Sequence, residues 1–498
     1  MPKHTPELVA AIDLGSNSFH MVVASLRQGE LVILDRLREM VRLAAGLTPQ
    51  RSLSVAAQQK AIDCLQRFGQ RLRDMPLGSV RAVGTNTLRI ARNANEFLIL
   101  AEQALGHPIE IISGIEEARL IYQGVAHSLA TDGKRRLVMD IGGGSTEYII
   151  GIDKTPLQKE SLHMGCVSMS LQQFPDGKLT QKRFKRAVIA AQMELEPFEA
   201  AFRSDSWDEA VGASGTLRTV EKLLVSSGWS KGGITLEGLN RLVDALLSAG
   251  HHDKLNLPEL SLDRKPILPG GVAILYATFK SLGIQHMKVA EGALREGLLY
   301  DLLGRINQED IRSRTVAAVA SRYHVDQKHA ARIRQTLRDL GAQVASFGRV
   351  EAPEAMQWLE WAADLHEIGL DIAHSQFHKH SAYIIENGDL PGFSRQDQKL
   401  LAAIVRAHRR KLPTKLLKEL PAPWSVAAKP MAILLRLAVL LNRSRHATPL
   451  PRMALTLSET QMNLNFPVGW LDSHPLTSAD LEEEAVYLAS AGVNLRFS

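Results

Sequence analysis

Cysteine is almost absent from the 498-residue sequence, which contains only Cys64 and Cys166. Neither belongs to a Cys-x-x-Cys pair, so the sequence argues against a disulfide framework and against a zinc knuckle. Residues 1–11 contain no apolar segment of the kind that directs secretion. The most apolar stretch, residues 431–441, is interrupted by Arg436 and is too short to span a bilayer. These absences predict a cytoplasmic protein without a membrane span, and they leave peripheral membrane association open.

Composition and length narrow the class of protein further. Apolar residues make up 45% of the chain and charged residues 22%, as expected of a folded globular protein rather than a disordered one. The formal net charge of +6 is compatible with an anionic ligand but does not by itself indicate one. Because no nucleic-acid-binding motif occurs, no specific nucleic acid is expected as a partner. The length predicts about three or four domains.

Strand-like and helix-like segments alternate in two successive series. The first series predicts strands at 8–14, 19–26, 31–37, 80–83 and 109–112, and a helix at 53–72. The second predicts strands at 137–141, 148–152, 157–162 and 287–290, and one that ends at Val211. Two similar series in one chain indicate a duplicated α/β architecture.

The last third of the chain differs in texture. Long helical patterns dominate from about residue 309, and seven of the 17 histidines lie between His324 and His408. In the tail, residues 453–457 and 462–466 alternate like a hairpin, and residues 479–488 predict a helix. The predicted domains are therefore 1–124, 125–303, 304–446 and 447–498.

A weak internal repeat is the most informative feature. The sequence AIDLGSNS at 11–18 recurs as VMDIGGGS at 138–145. Glycine permits close backbone approach, and consecutive N–H groups in such turns bind anions. Each Asp follows a strand and is a candidate ligand of hydrated Mg²⁺. The repeat predicts a phosphate clamp formed by Ser16, Asn17, Ser18, Gly143, Gly144, Ser145 and Thr146, with Asp13 and Asp140 as metal ligands.

The two copies differ at one equivalent position, where Glu147 replaces His20. A carboxylate beside a phosphate clamp requires a cation, so we assign Glu147 to Mg²⁺ or to the attacking water. The alternatives stay open: Glu147 as a solvent-exposed strand residue, and Asp13 and Asp140 as turn-stabilising residues.

Several further motifs resemble those of one family. They are GTNTLRIAR at 84–92, IISGIEEARLIYQGV at 111–125, GASGTL at 212–217 and EGALREGLLY at 291–300. Together with the paired loops, they make nearly the whole chain similar to the exopolyphosphatase and guanosine-pentaphosphate phosphatase family of the actin-like superfamily. The resemblance implies an α/β fold of two ribonuclease-H-like, actin-type domains, followed by an all-helical HD-like domain and a small α+β C-terminal domain. MGCVS at 164–168 and VRAHRRK at 405–411 resemble the exopolyphosphatase branch more closely.

Glu117 is the candidate for the residue that orients or deprotonates the attacking water, as the resemblance implies. Ser113 and Glu116 have the spacing of a helix capping box, which leaves Glu117 on another side of the first turn. The alternative is an exposed carboxylate that the helix dipole favours.

Three strand-to-helix turns, at 85–89, 212–216 and 292–297, complete the predicted site. Helix N-termini bind phosphate, and Arg89 adds a permanent fork of donors that could stabilise the transferring phosphoryl group. The further substrate-binding candidates at these turns are Thr87, Ser214, Gly215 and Thr216.

Histidines of the helical third resemble the ligands of metal-dependent HD phosphohydrolases at His366, His380 and His408. However, Glu367 stands where that site needs an aspartate, and Asn442 falls where a later aspartate is expected. These departures argue against a working dinuclear metal site. A basic passage for a polymer is predicted at His378, Lys379, Arg409 and Arg410, with a plain solvated face as the alternative.

The leading prediction is an exopolyphosphatase, a hydrolase of phosphoric anhydrides that releases orthophosphate from inorganic polyphosphate. Mg²⁺ is the expected cofactor, and a monovalent cation such as K⁺ is an additional candidate. The alternatives are a 5′-phosphohydrolase of guanosine pentaphosphate, an actin-like kinase, and a non-catalytic sensor of polyphosphate or of guanosine penta- and tetraphosphate. The resemblance also implies a homodimer.

Overall fold

A division near residue 310 separates the chain into two units, residues 1–310 and 311–498. The computed structural model describes residues 8–27, 30–306, 310–344, 346–446, 449–458 and 460–498. The predicted domain boundaries after residues 124, 303 and 446 stay predictions. The last of them adjoins residues 447–448, which lie outside the described residues, as do the first seven residues of the predicted first domain.

The first unit begins with a five-stranded sheet of order β3-β2-β1-β4-β5. Its strands are β1 Leu8–Leu14, β2 Phe19–Arg27, β3 Glu30–Glu39, β4 Val80–Gly84 and β5 Ile109–Ile111. Its helices are α1 Val55–Leu72, α2 Asn86–Ile90, α3 Ala94–Leu105 and α4 Gly114–Ala126. Alternate residues of β1 enter two separate cores, Ala10 and Ile12 on one face and Val9 and Ala11 on the other. Both faces of β1 are therefore covered, which explains its nearly continuous apolar sequence.

The second sheet repeats this topology within the same unit. Its strands are β6 Arg135–Ile141, β7 Thr146–Ile152, β8 Thr155–Leu162, β9 Glu209–Gly212, β10 Ile234–Thr235 and β11 His286–Val289. The order β8-β7-β6-β9-β11 reproduces β3-β2-β1-β4-β5 in strand direction, and β10 is an added antiparallel edge strand. The accompanying helices are α5 Cys166–Gln173, α6 Gln181–Leu195, α7 Glu199–Phe202, α8 Gly215–Ser226, α9 Leu236–Ala249 and α10 Leu268–Leu282.

The register of the two hairpins makes the duplication concrete. Asp13 of β1 pairs with His20 of β2, and Asp140 of β6 pairs with Glu147 of β7. The substitution of Glu147 for His20 is therefore a difference at one geometrically equivalent position, as the repeat predicts.

Helix α11, Leu294–Ile306, returns from the second sheet to pack against α4 and β1 of the first. The helices cross with backbone contact, because a Cβ atom on Gly124 or Gly297 would overlap carbonyl groups of the facing helix. Asp301 of α11 is buried there and binds the guanidinium groups of Arg81 and Arg119, with Arg305 Nε 3.1 Å from its Oδ2. This buried ion network fixes α11 to the first sheet.

Replacing Asp301 with asparagine should lower the free energy of unfolding of the first unit by about 3–5 kcal/mol at pH 7, because buried Arg81 and Arg119 lose their countercharge. Burial raises the pKa of Asp301, but Arg81, Arg119 and Arg305 outweigh burial and hold that pKa well below its usual range. Because the pKa of Asp301 is lower in the folded state, its ion pairs stabilise the fold at pH values above the unfolded pKa of 3.8. This stabilisation is lost as the pH falls below 3.8 towards the folded pKa.

Urea unfolding of the Asp301→Asn variant and the unchanged chain should therefore differ most near neutral pH and converge in acid. The exposed pair Asp176–Arg183 supplies the control, since Asp176→Asn should have a much smaller effect. Equal stability of the unchanged chain and the Asp301→Asn variant at pH 7 would contradict a stabilising role for the network.

The second unit, described by itself, is mainly helical. Its helices are α12 Ile311–Arg322, α13 Gln327–Gly341, α14 Ala352–Leu365, α15 Phe377–Asn387, α16 Arg395–Ala407, α17 Thr414–Lys418, α18 Trp424–Leu441 and α19 Pro475–Ala489. A small sheet contains β12 Ala454–Leu457, β13 Gln461–Asn465 and β14 Asn494–Phe497. The predicted hairpin is confirmed as β12 and β13, and β14 adds a parallel strand that was not predicted. Among the described residues of both units, short 3₁₀ turns lie at Leu43–Gly46, Leu77–Ser79, His252–Lys254 and Ile368–Asp371.

Among the described residues, α18 is long and apolar enough to cross a membrane by length and composition. This helix is longer than the apolar stretch at 431–441 because it begins at Trp424. However, 61% of the helix is buried inside the protein. Arg436 lies in its middle, with its side chain 1% exposed, and donates to Glu484 and to the Ala407 carbonyl at 2.7 Å. These contacts are those of a core helix.

Candidate active site

A cleft of about 530 Å³ in the first unit is lined by both loops of the repeat, residues 13–18 and 140–145. The loops approach so closely that a Cβ on Gly143 would lie 3.0 Å from the Ser16 Cβ. A Cβ on Gly144 would lie 2.5 Å from Asn86 Oδ1. The close approach of the first loop therefore favours glycine at position 143, and the close approach of Asn86 in α2 favours it at position 144.

Four carboxylates gather at one end of this cleft. Burial, followed by the charge of Glu117, raises the pKa of Asp13 to about 7 and that of Asp140 to about 8. The same two causes raise the pKa of Glu147 well above its usual range. Asp13 Oδ1 is buried and lacks a hydrogen-bond partner among the described residues. Acidic oxygens that repel one another in a buried place fit a hard divalent cation, and Mg²⁺ prefers such oxygen ligands.

Glu147 is buried, and Ser161 fixes its carboxylate. Its residue is 1% exposed, and Ser161 Oγ donates to its Oε1 at 2.8 Å. The alternative of a solvent-exposed strand glutamate is therefore wrong. Glu147 is absent from the cleft lining, but it lies near two residues of that lining, since the charges of Glu117 and Asp140 raise its pKa.

Glu117 lines the cleft from the first turn of α4. Arg89 Nη1 donates to Glu117 Oε2 at 2.8 Å and to the Ile112 carbonyl at 3.0 Å. Because Glu117 is 7% exposed, the alternative of an exposed helix-start carboxylate is wrong. Arg89 is not among the residues that line the cleft, and its predicted contact with the phosphoryl group stays a prediction. Arg89 thus orients Glu117.

The start of α4 also separates Glu117 from its neighbour. Ser113 Oγ accepts a hydrogen bond from Glu116 N at 3.1 Å, as the capping spacing predicts. The Glu116 carboxylate binds Arg119 at 2.8 Å through both oxygens. Glu116 therefore belongs to the buried ion network, and of these two neighbours only Glu117 lines the cleft.

Most predicted phosphate-binding residues line the cleft. They are Ser16, Asn17, Ser18, Gly143, Gly144, Ser145, Ser214, Gly215 and Thr216. The exceptions are Thr87 and Thr146, which are buried and support the loops. Thr87 Oγ1 donates to Ser16 Oγ at 2.8 Å, and Thr146 Oγ1 donates to the Met164 carbonyl at 2.6 Å. Both hydroxyl groups therefore have partners within the protein, and their predicted contact with substrate stays a prediction.

A set of six cations, called the cation row, also lines the cleft; Arg295 lies in the predicted turn at 292–297, and the others were not predicted. It contains Arg36, Arg38, Arg218, Lys222, Arg264 and Arg295. Two signals in the sequence could have found part of it. Arg36 and Arg38 alternate on β3 and so share one face, and Arg218 and Lys222 lie one turn apart on α8. Arg264 lies outside any helix or strand and has no such signal.

His20 connects this row to the first loop. Arg295 Nη1 donates to His20 Nδ1 at 3.0 Å, and His20 Nε2 lies 2.8 Å from Ser18 Oγ. Burial, followed by the charge of Arg295, lowers the pKa of His20 to about 2. The neutral form of His20 is therefore favoured, and its Nδ1 accepts the hydrogen bond from Arg295.

The predicted polymer passage lies in the second unit, where its members differ in exposure. Lys379 and Arg410 are exposed, and the Arg409 guanidinium lies 5.1 Å from the centre of the Phe377 ring. His378 is 6% exposed, so it belongs to the interior rather than to a solvated passage.

Comparison with known proteins gives full-length matches. The Ppx/GppA phosphatase family profile matches residues 22–306, and the profile of domain III of Ppx/GppA phosphatases matches residues 311–485. The chain is 42% identical over 481 residues to a guanosine-5′-triphosphate,3′-diphosphate pyrophosphatase of Aeromonas hydrophila, covering 97% of each chain. It is 42% identical over 478 residues to the enzyme of that name in Vibrio cholerae, covering 96% of this chain and 95% of the relative.

Two solved structures match about 60% of the chain. An exopolyphosphatase from Cytophaga hutchinsonii has a TM-score of 0.54 at 23% identity, covers 60% of this chain and 98% of its own, and supports the fold alone. The Aquifex aeolicus PPX-GPPA enzyme has a TM-score of 0.50 at 26% identity, covering 59% and 98%. The predicted closeness to the exopolyphosphatase branch is not supported by the relatives named above, which carry the other name. The chain belongs to the Ppx/GppA phosphatase family and is a hydrolase of phosphoanhydride bonds.

Proposed function

We propose that the chain is a 5′-phosphohydrolase of guanosine pentaphosphate, the runner-up of the sequence analysis. The supporting observation is the cleft itself, which is lined both by buried carboxylates and by the six cations of the cation row. The full-length likeness to guanosine-5′-triphosphate,3′-diphosphate pyrophosphatases supplies the substrate class. The products are orthophosphate and guanosine tetraphosphate.

In the proposed reaction, water attacks the terminal phosphorus of the 5′-triphosphate in line with the bridging oxygen. The new P–O bond forms as the bond to that oxygen breaks, and the leaving β-phosphate keeps the electron pair. Glu117 accepts the proton of the water, and Arg89 fixes the direction of the carboxylate from 2.8 Å away. The chain thus contributes positioning and charge rather than a covalent intermediate.

Asp13, Asp140 and Glu147 would hold Mg²⁺, directly or through its water ligands. When bound, the ion would neutralise charge on the transferring phosphoryl group. Asp13 and Asp140 lie near the ends of equivalent strands, so their carboxylates would reach the ion from both halves of the clamp. A requirement for K⁺ is a further proposal.

The cation row would bind the remaining phosphates. Guanosine pentaphosphate carries phosphates on both its 5′ and 3′ oxygens, so its charge extends beyond the clamp. Lys222, Arg218 and Arg264 line the same cleft as the loops and supply charge-assisted donors for the second group.

The direct test is product analysis. Incubation of the purified chain with guanosine pentaphosphate and Mg²⁺ should yield guanosine tetraphosphate and orthophosphate in equal amounts, measured by ion-exchange chromatography. Release of pyrophosphate, or loss of the 3′-phosphates, would contradict the proposal.

Inorganic polyphosphate is the second candidate substrate, and exopolyphosphatase was the leading prediction. The cation row favours it, because a repeating phosphate chain needs charges and no base-specific contact. The predicted homodimer and a cytoplasmic location are further proposals; the two cysteines are unpaired, as expected in a reducing compartment.

Reversing the charge of Arg409 and Arg410 to glutamate should weaken turnover of long polyphosphate far more than that of short chains, if the predicted passage guides a polymer. The reason is that only a long chain would reach both the clamp and these cations. The measurement is kcat/KM for each chain length at low ionic strength, where screening is weak. The control is the reversal of exposed Lys415 and Lys418. Equal effects on both lengths would rule out the passage.

A further inference from the structure

Four histidines meet in the interior of the second unit. They come from different parts of the helical bundle: His329 from α13, His366 from the end of α14, His378 from α15 and His408 from the end of α16. None is more than 6% exposed. The ring centres of His329 and His366 are 6.0 Å apart, those of His366 and His408 are 5.2 Å apart, and those of His378 and His408 are 6.1 Å apart.

The hydrogen bonds of two rings define which nitrogen is bare. His366 Nδ1 lies 2.8 Å from the Ala363 carbonyl, and His408 Nδ1 lies 2.5 Å from the Val405 carbonyl. A carbonyl only accepts, so each Nδ1 carries the hydrogen and each Nε2 presents a lone pair. Metal-bound histidines are oriented by this kind of bond.

The lone pairs face no donor within the described part of the chain. His366 Nε2 and His408 Nε2 are buried without a hydrogen-bond partner there, and so are His329 Nδ1 and His378 Nδ1. Buried polar atoms are normally paired. Four unpaired imidazole nitrogens in one cluster therefore point to a ligand that accepts electron pairs.

A carboxylate completes a set of ligand atoms. One atom each of His329, His366 and Glu367 lie within 4.8 Å of one another, and His366 Nε2 is 3.8 Å from Glu367 Oε1. Tetrahedral ligands 2.0–2.2 Å from an ion lie about 3.4 Å apart. Small side-chain movements would therefore close this set around one ion.

We propose that His329, His366 and Glu367 bind one divalent transition-metal ion in the second unit, with Zn²⁺ as the expected occupant. Two imidazoles and one carboxylate suit Zn²⁺, whereas Mg²⁺ favours oxygen ligands alone. His408, next to His366, is the nearest additional nitrogen donor. The site is mononuclear, and it differs from the dinuclear aspartate site that the sequence argues against. It uses His329, which the sequence analysis did not single out.

Arg445 is a positively charged neighbour of the proposed metal site. Its guanidinium contacts the same Glu367 Oε1 that would bind the ion. A fixed positive charge at that oxygen opposes a cation. Arg445→Gln should therefore tighten Zn²⁺ binding, while Glu367→Gln and His329→Gln should weaken it at least about tenfold.

The experiment uses the full chain, stripped with a chelator and exchanged into buffer with excess Mg²⁺ to occupy the carboxylates of the cleft. One equivalent of Zn²⁺ is added, and bound zinc is measured by mass spectrometry after desalting. About one zinc per chain should remain, and the melting temperature should rise. His374→Gln, at an exposed histidine nearby, is the matched control and should retain the metal.

Co²⁺ gives a second readout, and its first part is measured on the unchanged chain alone. The unchanged chain should develop visible absorption of a nitrogen-ligated Co²⁺, and His329→Gln should lose it. Failure of the unchanged chain to retain zinc, to shift its melting temperature and to develop this absorption would overturn the proposal. Equal zinc retention by Glu367→Gln, His329→Gln and the control would place the ion elsewhere, for example at the more exposed His251, His252 and Asp253, and would also overturn it.

Discussion

Replacement of Glu117 by glutamine reduces kcat for guanosine pentaphosphate by roughly 10²–10⁴-fold, the contribution expected of a positioned general base. The substitution keeps the shape and the contact with Arg89, which is 2.8 Å away, but removes the site that accepts the proton of water. Substrate affinity should stay close to that of the unchanged chain, because the loops and the cation row are untouched. Phosphate-release kinetics and equilibrium binding measure the two quantities separately.

The control for this prediction is Glu96→Gln. Glu96 also lies in the first turn of a helix, α3, but is exposed. Loss of a helix-start charge alone should therefore leave turnover unchanged. A Glu117→Gln variant with near-normal kcat would refute the assignment, and a variant that has lost substrate binding would indicate a structural role instead.

Replacement of Asp140 by asparagine should reduce turnover about 10²-fold or more at a Mg²⁺ concentration that saturates the unchanged chain. The amide is a weaker ligand for a hard cation than the carboxylate. The same change should raise the melting temperature in Mg²⁺-free buffer, because it removes one of the buried carboxylates that repel each other around Asp13 and Glu117.

The opposite signs of these two effects make the test specific. A variant that is merely misfolded loses activity and stability together, whereas loss of a metal ligand lowers activity and relieves repulsion. Titration of the rate with Mg²⁺, together with thermal melts with and without the ion, separates the cases. Unchanged Mg²⁺ dependence would exclude Asp140 from the metal site.

The duplicated sheets could be predicted because their signals are local. The first strand was predicted at 8–14 and forms at Leu8–Leu14, since its apolar run ends at an Asp-Gly turn. The equivalence of His20 and Glu147 also followed from counting along two similar hairpins. Strands β10 and β14 were missed because they have two and four residues and depend on partners distant in sequence.

Other parts of the site required three dimensions. The contact of Arg89 with Glu117 joins residues 28 positions apart, and no sequence pattern distinguishes it from contact with a phosphate. Arg264 reaches the cleft from outside the helices and strands. His329 belongs to the histidine cluster only because α13 packs beside the end of α14, so its spacing from His366 carries no signal.

We propose that the residues of this cleft catalyse hydrolysis of the 5′-terminal phosphate of guanosine pentaphosphate. The most direct measurement is kcat/KM for that nucleotide and for long inorganic polyphosphate, determined side by side on the full chain with saturating Mg²⁺. The account predicts a value at least about tenfold higher for guanosine pentaphosphate, corresponding to about 1.4 kcal/mol of differential transition-state stabilisation. A higher value for polyphosphate would contradict the account and restore the exopolyphosphatase prediction.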